Sequence, residues 1–481
     1  MTEEQKAVSS ANDAAQSPTA PQTLIEMENN ASDAALESMG YKQELKRALS
    51  VPDMLVYGLI FMVPIAPFGI YGGVFGDSGG MPALVYLVGM IAMIFTAFSY
   101  AVLSREFPVS GSVYGYTSRG ITKPVGFVTG WTMLLDYLLV PTLLYVVAAQ
   151  AMSGIVPEIP AVVWGILFVV INTFVNIRGI ELTVIVNRVA LVLEILCLTV
   201  FVVMGVLWLA TDPLSNGFTF KPFYNPETFN IGLVMGAVSL GVLSFLGFDG
   251  IATLSEEAHD AKRGPSRAMV GSLLIVGFLF MLQTYIAGCI SPDGAVFAND
   301  PDNAFYLVAE VVGGKFLYIL CALATAIAWG IFNSLAAQTA ISRILFAMSR
   351  DGNLPKALAK VHPKFKTPYI AAAFVGTLSL VLVVIFEQLG IDAISRLVNF
   401  GALTAFCILH FTVVWHFFIK KRDGKVFTHL IIPLLGFIIV GFTWFSLDPA
   451  SKIMGITWVV AGIVYYVVLH KVLKKNVDLE V

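Results

Sequence analysis

The sequence predicts an all-α polytopic membrane protein, and three observations support this. Of 481 residues, 57% are hydrophobic and only 13% are charged, whereas a soluble domain has about 25% charged residues. The chain after residue 45 divides into apolar segments of membrane-spanning length. Lys and Arg residues collect in every second connecting loop, as they do in membrane proteins. Together with a net charge of −3, this composition argues against a soluble enzyme and against a nucleic-acid-binding protein.

The first 45 residues differ from the rest, and we predict that they form a disordered, acidic, cytoplasmic tail. Residues 1–40 contain seven Asp or Glu residues and one Lys. Such a segment has too little apolar surface to form a packed core. No apolar stretch follows a basic start, so the tail is not a signal peptide.

Twelve apolar segments follow the tail. Several are longer than a perpendicular span requires, which indicates tilt or interruption, and 124–152 and 316–346 are the clearest cases. The segments cover approximately 52–75, 82–104, 124–152, 160–177, 184–210, 231–254, 268–290, 316–346, 368–386, 394–418, 429–447 and 453–470.

The loop charges predict the orientation of these segments. Twenty-three Lys and Arg residues lie in loops on the side of the N-terminus, and four lie on the other side. Because positive residues collect in cytoplasmic loops, we expect both termini in the cytoplasm and a multi-pass protein of the plasma (inner) membrane. A wrong segment count would mix the two sides, so the alternation also supports the count of twelve.

Segment 1 contains a break in its helical pattern. Pro64, Ile65, Ala66 and Pro67 follow one another, and Gly69 comes two residues later. Each proline removes a backbone donor, and its ring clashes with the preceding turn. We therefore expect two short helices in place of one.

Segment 6 contains a second break. Phe245, Gly247, Phe248 and Asp249 lie within a ten-residue stretch that holds three glycines. Broken backbone in lipid is costly unless it lines a cavity or packs on protein. Two breaks five segments apart are typical of the binding site of a secondary transporter, and kinks that serve only packing are the alternative. Freed helix N-termini suit a carboxylate and freed carbonyls suit an ammonium group, so a zwitterion can use both.

Several motifs resemble those of the amino acid–polyamine–organocation permeases, over about residues 45–471. The longest is Leu-Ser-Phe-Leu-Gly-Phe-Asp-Gly at 243–250, followed by Ile-Ala-Thr-Leu-Ser-Glu-Glu-Ala, and it looks most like the putrescine-importer branch. The other motifs are Phe107-Pro108 with Gly111–Tyr116, Gly130-Trp131 with Asp136-Tyr137, and Ser342-Arg343 with Arg350-Asp351-Gly352.

This resemblance implies a LeuT-like fold of five plus five helices in an inverted repeat. It implies a ten-helix transport core over 46–418, helices 11 and 12 over 419–472, and a cytoplasmic tail over 473–481. It also implies a midplane substrate site between interrupted helices 1 and 6, flanked by helices 3 and 8. For that site we predict the substrate-binding residues Pro64, Ile65, Ala66, Pro67, Gly69, Tyr114, Phe245, Gly247, Phe248 and Asp249.

Two positions depart from the family pattern. In the putrescine-importer pattern that this sequence resembles, helix 1 has an aspartate that can pair with an amine. Gly69 stands at the matching position, and the missing carboxylate weakens the polyamine interpretation. Glu194 stands where some members have a proton-carrying lysine in helix 5. A desolvated carboxyl at Glu194 can exchange a proton near neutral pH, so we predict that it couples transport to protons. A neutral glutamic acid that bonds a neighbouring helix is the alternative.

Other polar residues inside the segments have two interpretations each. Asp249 either braces the break or faces a substrate amine, and we interpret Asp136 as structural. Glu256 and Glu257 are candidates for an inner gate with the loop bases Lys262, Arg263 and Arg267, although a solvated helix end also explains them. Asn333 and Ser334 either line the site or an ion position or bond a neighbouring helix, and we favour the helix contact. We interpret Arg188, His410 and His416 as interfacial or packing residues, with a protonation switch as the alternative for the two histidines.

The leading prediction is therefore a proton-coupled importer of an amino acid that works by alternating access. A putrescine or polyamine importer is the alternative, and sodium remains open as the driving ion. The expected partners are a small amino acid or amine and the lipid bilayer, with no nucleic acid, while the oligomeric state stays open. We predict no catalytic residue, no metal site and no cofactor, because an intramembrane enzyme would need clustered acids or histidines. A channel or a ligand-binding receptor is the further alternative.

Overall fold

The computed structural model describes most of the chain. The predicted N-terminal tail lies outside the described residues apart from three positions, and the predicted C-terminal tail over 473–481 lies outside them entirely. The described residues are Glu37, 44–109, 112–156, 158–389, 391–447 and 449–469.

Fifteen α-helices are described in these ranges, and we number them in chain order. The first eight are α1 (Val51–Met62), α2 (Pro67–Asp77), α3 (Pro82–Glu106), α4 (Ser112–Gly120), α5 (Lys123–Ile155), α6 (Ala161–Arg178), α7 (Ile180–Thr211) and α8 (Ile231–Leu243). The others are α9 (Gly264–Ile290), α10 (Ala304–Ile327), α11 (Ser334–Arg350), α12 (Tyr369–Leu389), α13 (Ile391–Val413), α14 (Ile432–Phe445) and α15 (Pro449–Val467).

Segments of 3₁₀-helix and π-helix extend several of the α-helices. A 3₁₀-helix covers Phe248–Glu257 after α8, and π-helical turns cover Ala328–Asn333, Val414–Lys421 and Phe427–Ile431. Short 3₁₀ turns lie in loops at Ala295–Phe297, Pro301–Asn303 and Lys356–Ala359.

The predicted all-α class with about twelve membrane spans is confirmed. Within the described ranges, eleven helical stretches are long and apolar enough to cross a membrane, and counting the bent pair α1–α2 as one span gives twelve. The two longest predicted segments differ in form. The first is one continuous helix, α5, with Pro141 inside it. The second runs as a single span over Ala304–Arg350, which includes the π-helical turn Ala328–Asn333.

The outer helices expose apolar side chains, as a lipid environment allows. On α6, Val163, Val170 and Phe174 are 50%, 53% and 55% exposed. By contrast, α11 buries almost every residue, including Gln338 and Arg343. The core therefore lies among α1, α3, α5, α9 and α11, where both breaks also lie.

Candidate functional site

The first break separates α1 from α2 with a bend of 54°. The α1 helix ends because Val63 adopts a φ of +52°, which an L-residue rarely does. The Val63 N–H donates to the carbonyl of Ile60 at 3.3 Å. The carbonyl of Pro64 accepts from the Gln283 side chain on α9 at 2.9 Å. This break is therefore held by a neighbouring helix rather than left open to lipid.

The second break lies between α8 and the 3₁₀-helix Phe248–Glu257. Gly247 has a φ of +118°, a conformation that glycine adopts without steric cost. A Cβ atom at Gly247 would lie 2.7 Å from Cγ of Phe61 and 2.9 Å from its carbonyl oxygen. The end of α1 and the break of α8 are therefore in direct contact, and glycine is required there for two separate reasons.

A cavity of about 70 Å³ lies between these breaks. At about 10–15 Å³ for one water, this is the space of several waters or of a small solute. Five elements form the cavity walls. They are the end of α1, the start of α2, α5, the break after α8 and the π-helical turn before α11. The lining residues are Phe61, Met62, Ala66, Ile70, Asp136, Tyr137, Val140, Leu143, Leu144, Leu243, Ser244, Leu246, Gly247, Trp329 and Asn333.

Three polar groups in this lining have no hydrogen-bond partner among the described residues. The Asp136 side chain has none, and the residue is 5% exposed. The Nε1 atom of Trp329 and the Oδ1 atom of Asn333 are buried and have none either. Since a buried polar group without a partner is destabilising, these atoms are candidates for contacts to a bound solute.

Asp249 is next to the cavity but is already fully engaged. Its carboxylate accepts from the hydroxyl of Tyr137 and, at 3.0 Å, from the hydroxyl of Tyr100. It also accepts from the N–H of Gly247 at 3.3 Å. Asp249 therefore joins the break after α8 to α3 and α5.

Comparison with known proteins places the chain in a family. The sequence profile of the family described as amino acid permease matches residues 54–469. The chain belongs to this family. It is therefore a membrane transporter and not an enzyme.

Three curated relatives match nearly the whole permease. The low-affinity putrescine importer PlaP of Escherichia coli K12 is 32% identical over 436 residues, which cover 89% of this chain and 94% of the relative. The branched-chain amino acid permease BcaP of Bacillus subtilis is 27% identical, covering 88% and 93%. A methylthioribose transporter of Bacillus subtilis is 26% identical, covering 90% and 95%. Amino acid and amine carriers thus both occur among the relatives of this permease.

The structure brings some of the predicted site residues together. Ala66 and Gly247 line the cavity. Ile65, Pro67 and Gly69 belong to the same break, and a Cβ at Gly69 would lie 3.1 Å from the Trp329 ring.

The predicted aromatic residues lie elsewhere. Phe245 packs against Phe280 with ring centroids 5.2 Å apart, and Phe248 packs against Tyr100 at 5.7 Å. The Tyr114 hydroxyl donates to Asp351 at the end of α11 and accepts from Asn353 at 2.8 Å. These three side chains are outside the cavity lining.

The sequence interpretation missed several lining residues. Asp136 was interpreted as structural, yet it lies on the cavity wall. Trp329 and Phe61 were not candidates at all, because single aromatic residues are common in membrane helices. A signal was available for Trp329, since the over-long segment 316–346 indicated an interruption and the π-helical turn holds this residue.

Glu194 lies on the inward face of α7. It is 2% exposed, and both carboxyl oxygens are buried without a hydrogen-bond partner among the described residues. Its neighbours Val192 and Leu193 are 66% and 51% exposed, so they form the lipid-facing side. Glu194 is not part of the cavity lining.

Glu256 and Glu257 correct one sequence interpretation. They are almost completely buried, so they are not a solvated helix end. Glu257 forms a two-point ion pair with Arg343, and Glu256 forms one with Arg350 at 2.9 and 3.1 Å. Arg343 and Arg350 both lie on α11, and they are 86 and 94 residues away from their glutamate partners along the chain.

Two other charged or titratable groups in the spans make contacts between helices. His410 on α13 bonds Thr96 at 3.2 Å and Ser99 at 2.9 Å, both on α3. Arg188 pairs with Asp53 at the start of α1. Within the described residues, no three His, Cys, Asp or Glu side chains group as a metal site.

Proposed function

We propose that the permease imports an amino acid by secondary-active, alternating-access transport across the plasma membrane. The observation that carries the proposal is the cavity bordered by both breaks, because helix ends of opposite polarity meet there. The positive end of the α2 helix dipole, next to Ala66, favours a substrate carboxylate. The carbonyl-bearing end of α8, at Leu243–Leu246, favours the ammonium group.

The cavity wall supports a substrate with an apolar side chain. Val140, Leu143 and Leu144 of α5 line the cavity together with Ile70 and Leu246. Apolar walls with a few polar groups are the usual composition of a small-molecule site. A substrate amine placed at Asp136 would give that buried carboxyl a charge-assisted partner, which it lacks among the described residues.

A diamine importer is the second candidate, and Asp136 is the observation that favours it. The family position on helix 1 that would supply an acid is Gly69 in this chain. Asp136 provides an acidic group in the same cavity from α5 instead. The similarity to a putrescine importer points the same way.

Two further parts of the proposal concern coupling and gating. Glu194 takes up the driving proton, because a buried carboxyl without a partner among the described residues is stable only when neutral, and it releases the proton when alternating access exposes the carboxyl to water. The pairs Glu256–Arg350 and Glu257–Arg343 close the cytoplasmic side and separate when the site opens inward. The transporter acts without a cofactor, and the loop charges support cytoplasmic termini.

Ornithine and putrescine provide the decisive test, since they differ by a carboxylate on the same carbon chain. The purified permease is melted with each compound, with leucine and with isoamylamine, the amine that lacks the leucine carboxylate. Ligands that bind only the folded state raise the melting temperature. Stabilisation by leucine and not by isoamylamine, or by ornithine and not by putrescine, supports the amino acid proposal. Stabilisation by putrescine and by none of the other three supports the diamine proposal. If none of the four stabilises the protein or competes for uptake into proteoliposomes, the proposed substrate class is wrong.

A further inference from the structure

A group of exposed cations lies at the end of α6, away from the transport cavity. The Arg178 guanidinium is 4.6 Å from the centroid of the Phe174 ring and 5.9 Å from that of Phe365. The Lys364 ammonium is 5.6 Å from the same Phe365 ring. Lys366 follows two residues later, and all three cations are exposed. Residues distant in sequence thus form one basic cluster, which we define as Arg178, Lys364 and Lys366.

The loop that carries the two lysines has a defined conformation. The Nδ1 atom of His362 accepts from the N–H groups of Lys364 at 3.2 Å and Phe365 at 3.1 Å. The N–H of His362 donates to the carbonyl of Thr367 at 2.8 Å, which closes the loop. The Thr367 hydroxyl donates to the carbonyl of Ile177 at 3.1 Å and so fastens the loop to α6. The lysines are therefore presented from a fixed turn next to Arg178.

The basic cluster has no acidic partner among the described residues. No ion pair involves any of the three side chains there, whereas Arg188, Arg343 and Arg350 each pair with a carboxylate. Cations at a membrane boundary that lack internal partners attract anionic lipid headgroups.

The cluster also continues an apolar stripe on α6. Val163, Leu167, Val170 and Phe174 are 45–55% exposed and lie on one face of the helix. Their spacing of three or four residues continues to Arg178, so the cation closes the same stripe. An acyl chain lying along this stripe would place its headgroup at Arg178.

We propose that the basic cluster and the α6 stripe bind one anionic phospholipid, with the phosphate at Arg178, Lys364 and Lys366. Arg forms two parallel hydrogen bonds with a phosphate, and lysines add charge around it. The stripe distinguishes a lipid from free phosphate, because a free anion would gain nothing from exposed apolar side chains. The bound lipid would link α6 to the loop that follows α11. The α11 helix itself carries Arg343 and Arg350.

Native mass spectrometry of the full-length permease in neutral detergent tests this proposal. The protein is titrated with dioleoyl-phosphatidylglycerol or with dioleoyl-phosphatidylcholine, and the dissociation constant of the first bound lipid is compared. The cluster variant combines Arg178→Gln, Lys364→Gln and Lys366→Gln. The control variant removes three exposed cations elsewhere and combines Lys262→Gln, Arg267→Gln and Lys425→Gln.

We expect the cluster variant to lose about fivefold in phosphatidylglycerol affinity for each cation, or on the order of a hundredfold in total. The control variant should change less than about twofold, and the wild type should prefer phosphatidylglycerol. A third variant, Lys364→Arg with Lys366→Arg, keeps the positive charge and should retain phosphatidylglycerol binding. Retained binding would show that the loop tolerates substitution at these two positions. Equal losses in both glutamine variants, equal binding of the two lipids, or displacement of the lipid by millimolar inorganic phosphate would each overturn the proposal.

Discussion

Gly247→Ala is the most informative single substitution, because the structure predicts two independent penalties at this position. The φ of +118° costs a non-glycine residue about 1–2 kcal/mol. The added Cβ would lie 2.7 Å from the Phe61 ring and 2.9 Å from the Phe61 carbonyl oxygen. Such overpacking costs about 1–3 kcal/mol. The break in its present geometry is therefore destabilised by about 2–5 kcal/mol.

A ligand that binds only this geometry loses affinity by up to the same free energy, since the free variant can relax to another conformation and must return to this one on binding. The predicted rise in the dissociation constant is between about thirtyfold and a few thousandfold. The assay is ligand-dependent thermal stabilisation, followed by uptake into proteoliposomes, with whichever substrate the wild type binds. Gly236→Ala is the matched control on α8, since a Cβ there meets nothing within 4 Å. It should bind like the wild type.

A double variant separates the two penalties. Phe61→Ala removes the ring that the new Cβ would meet but leaves the carbonyl contact and the positive φ. Combined with Gly247→Ala, it should recover part of the lost affinity, and the interaction energy of the pair measures the ring contact. Wild-type affinity in Gly247→Ala would refute the assignment of this break to the site. Strictly additive losses in the double variant would refute the ring contact.

Three further predictions follow from buried acidic groups. Glu194→Gln should abolish uptake driven by a pH gradient while substrate exchange continues; equal gradient-driven uptake by wild type and variant would remove Glu194 from coupling. Asp136→Asn should raise the dissociation constant of an amine substrate by about tenfold or more, since a hydrogen bond to a charged group contributes about 1.5–3 kcal/mol, and unchanged binding by calorimetry would argue against Asp136 as the amine partner. Glu257→Gln leaves Arg343 buried without its charged partner and should lower the free energy of unfolding by about 3–5 kcal/mol. The double variant Glu257→Leu with Arg343→Leu should be closer to the wild type in thermal unfolding. A double variant less stable than the single variant would contradict this prediction.

The breaks were predictable because their causes are local. Pro64 and Pro67 remove backbone donors whatever surrounds them. Gly247 permits a positive φ by its own chemistry. The number of spans was predictable for a similar reason, since each span must be apolar along its own length. These features need no knowledge of which helices are neighbours.

The cavity was only partly predictable. Ala66 and Gly247 were expected near a substrate, and they line the cavity. Asp136 is on the same wall, yet the sequence offered no sign of the side of α5 that turns inward. Membrane helices make this difficult, because apolar residues cover the lipid-facing and the protein-facing sides alike. Hydropathy therefore identifies a span but not its rotation.

The sequence alone determined the class of protein, the spans, the two breaks and the family resemblance. The tertiary structure decided which charges meet: Glu256 and Glu257 pair with Arg350 and Arg343 of α11. It also decided that Asp249 is held by two tyrosines, while Asp136 lines the cavity without a side-chain partner among the described residues. Composition and backbone chemistry act within a segment, whereas these contacts depend on how separate helices rotate and pack against one another.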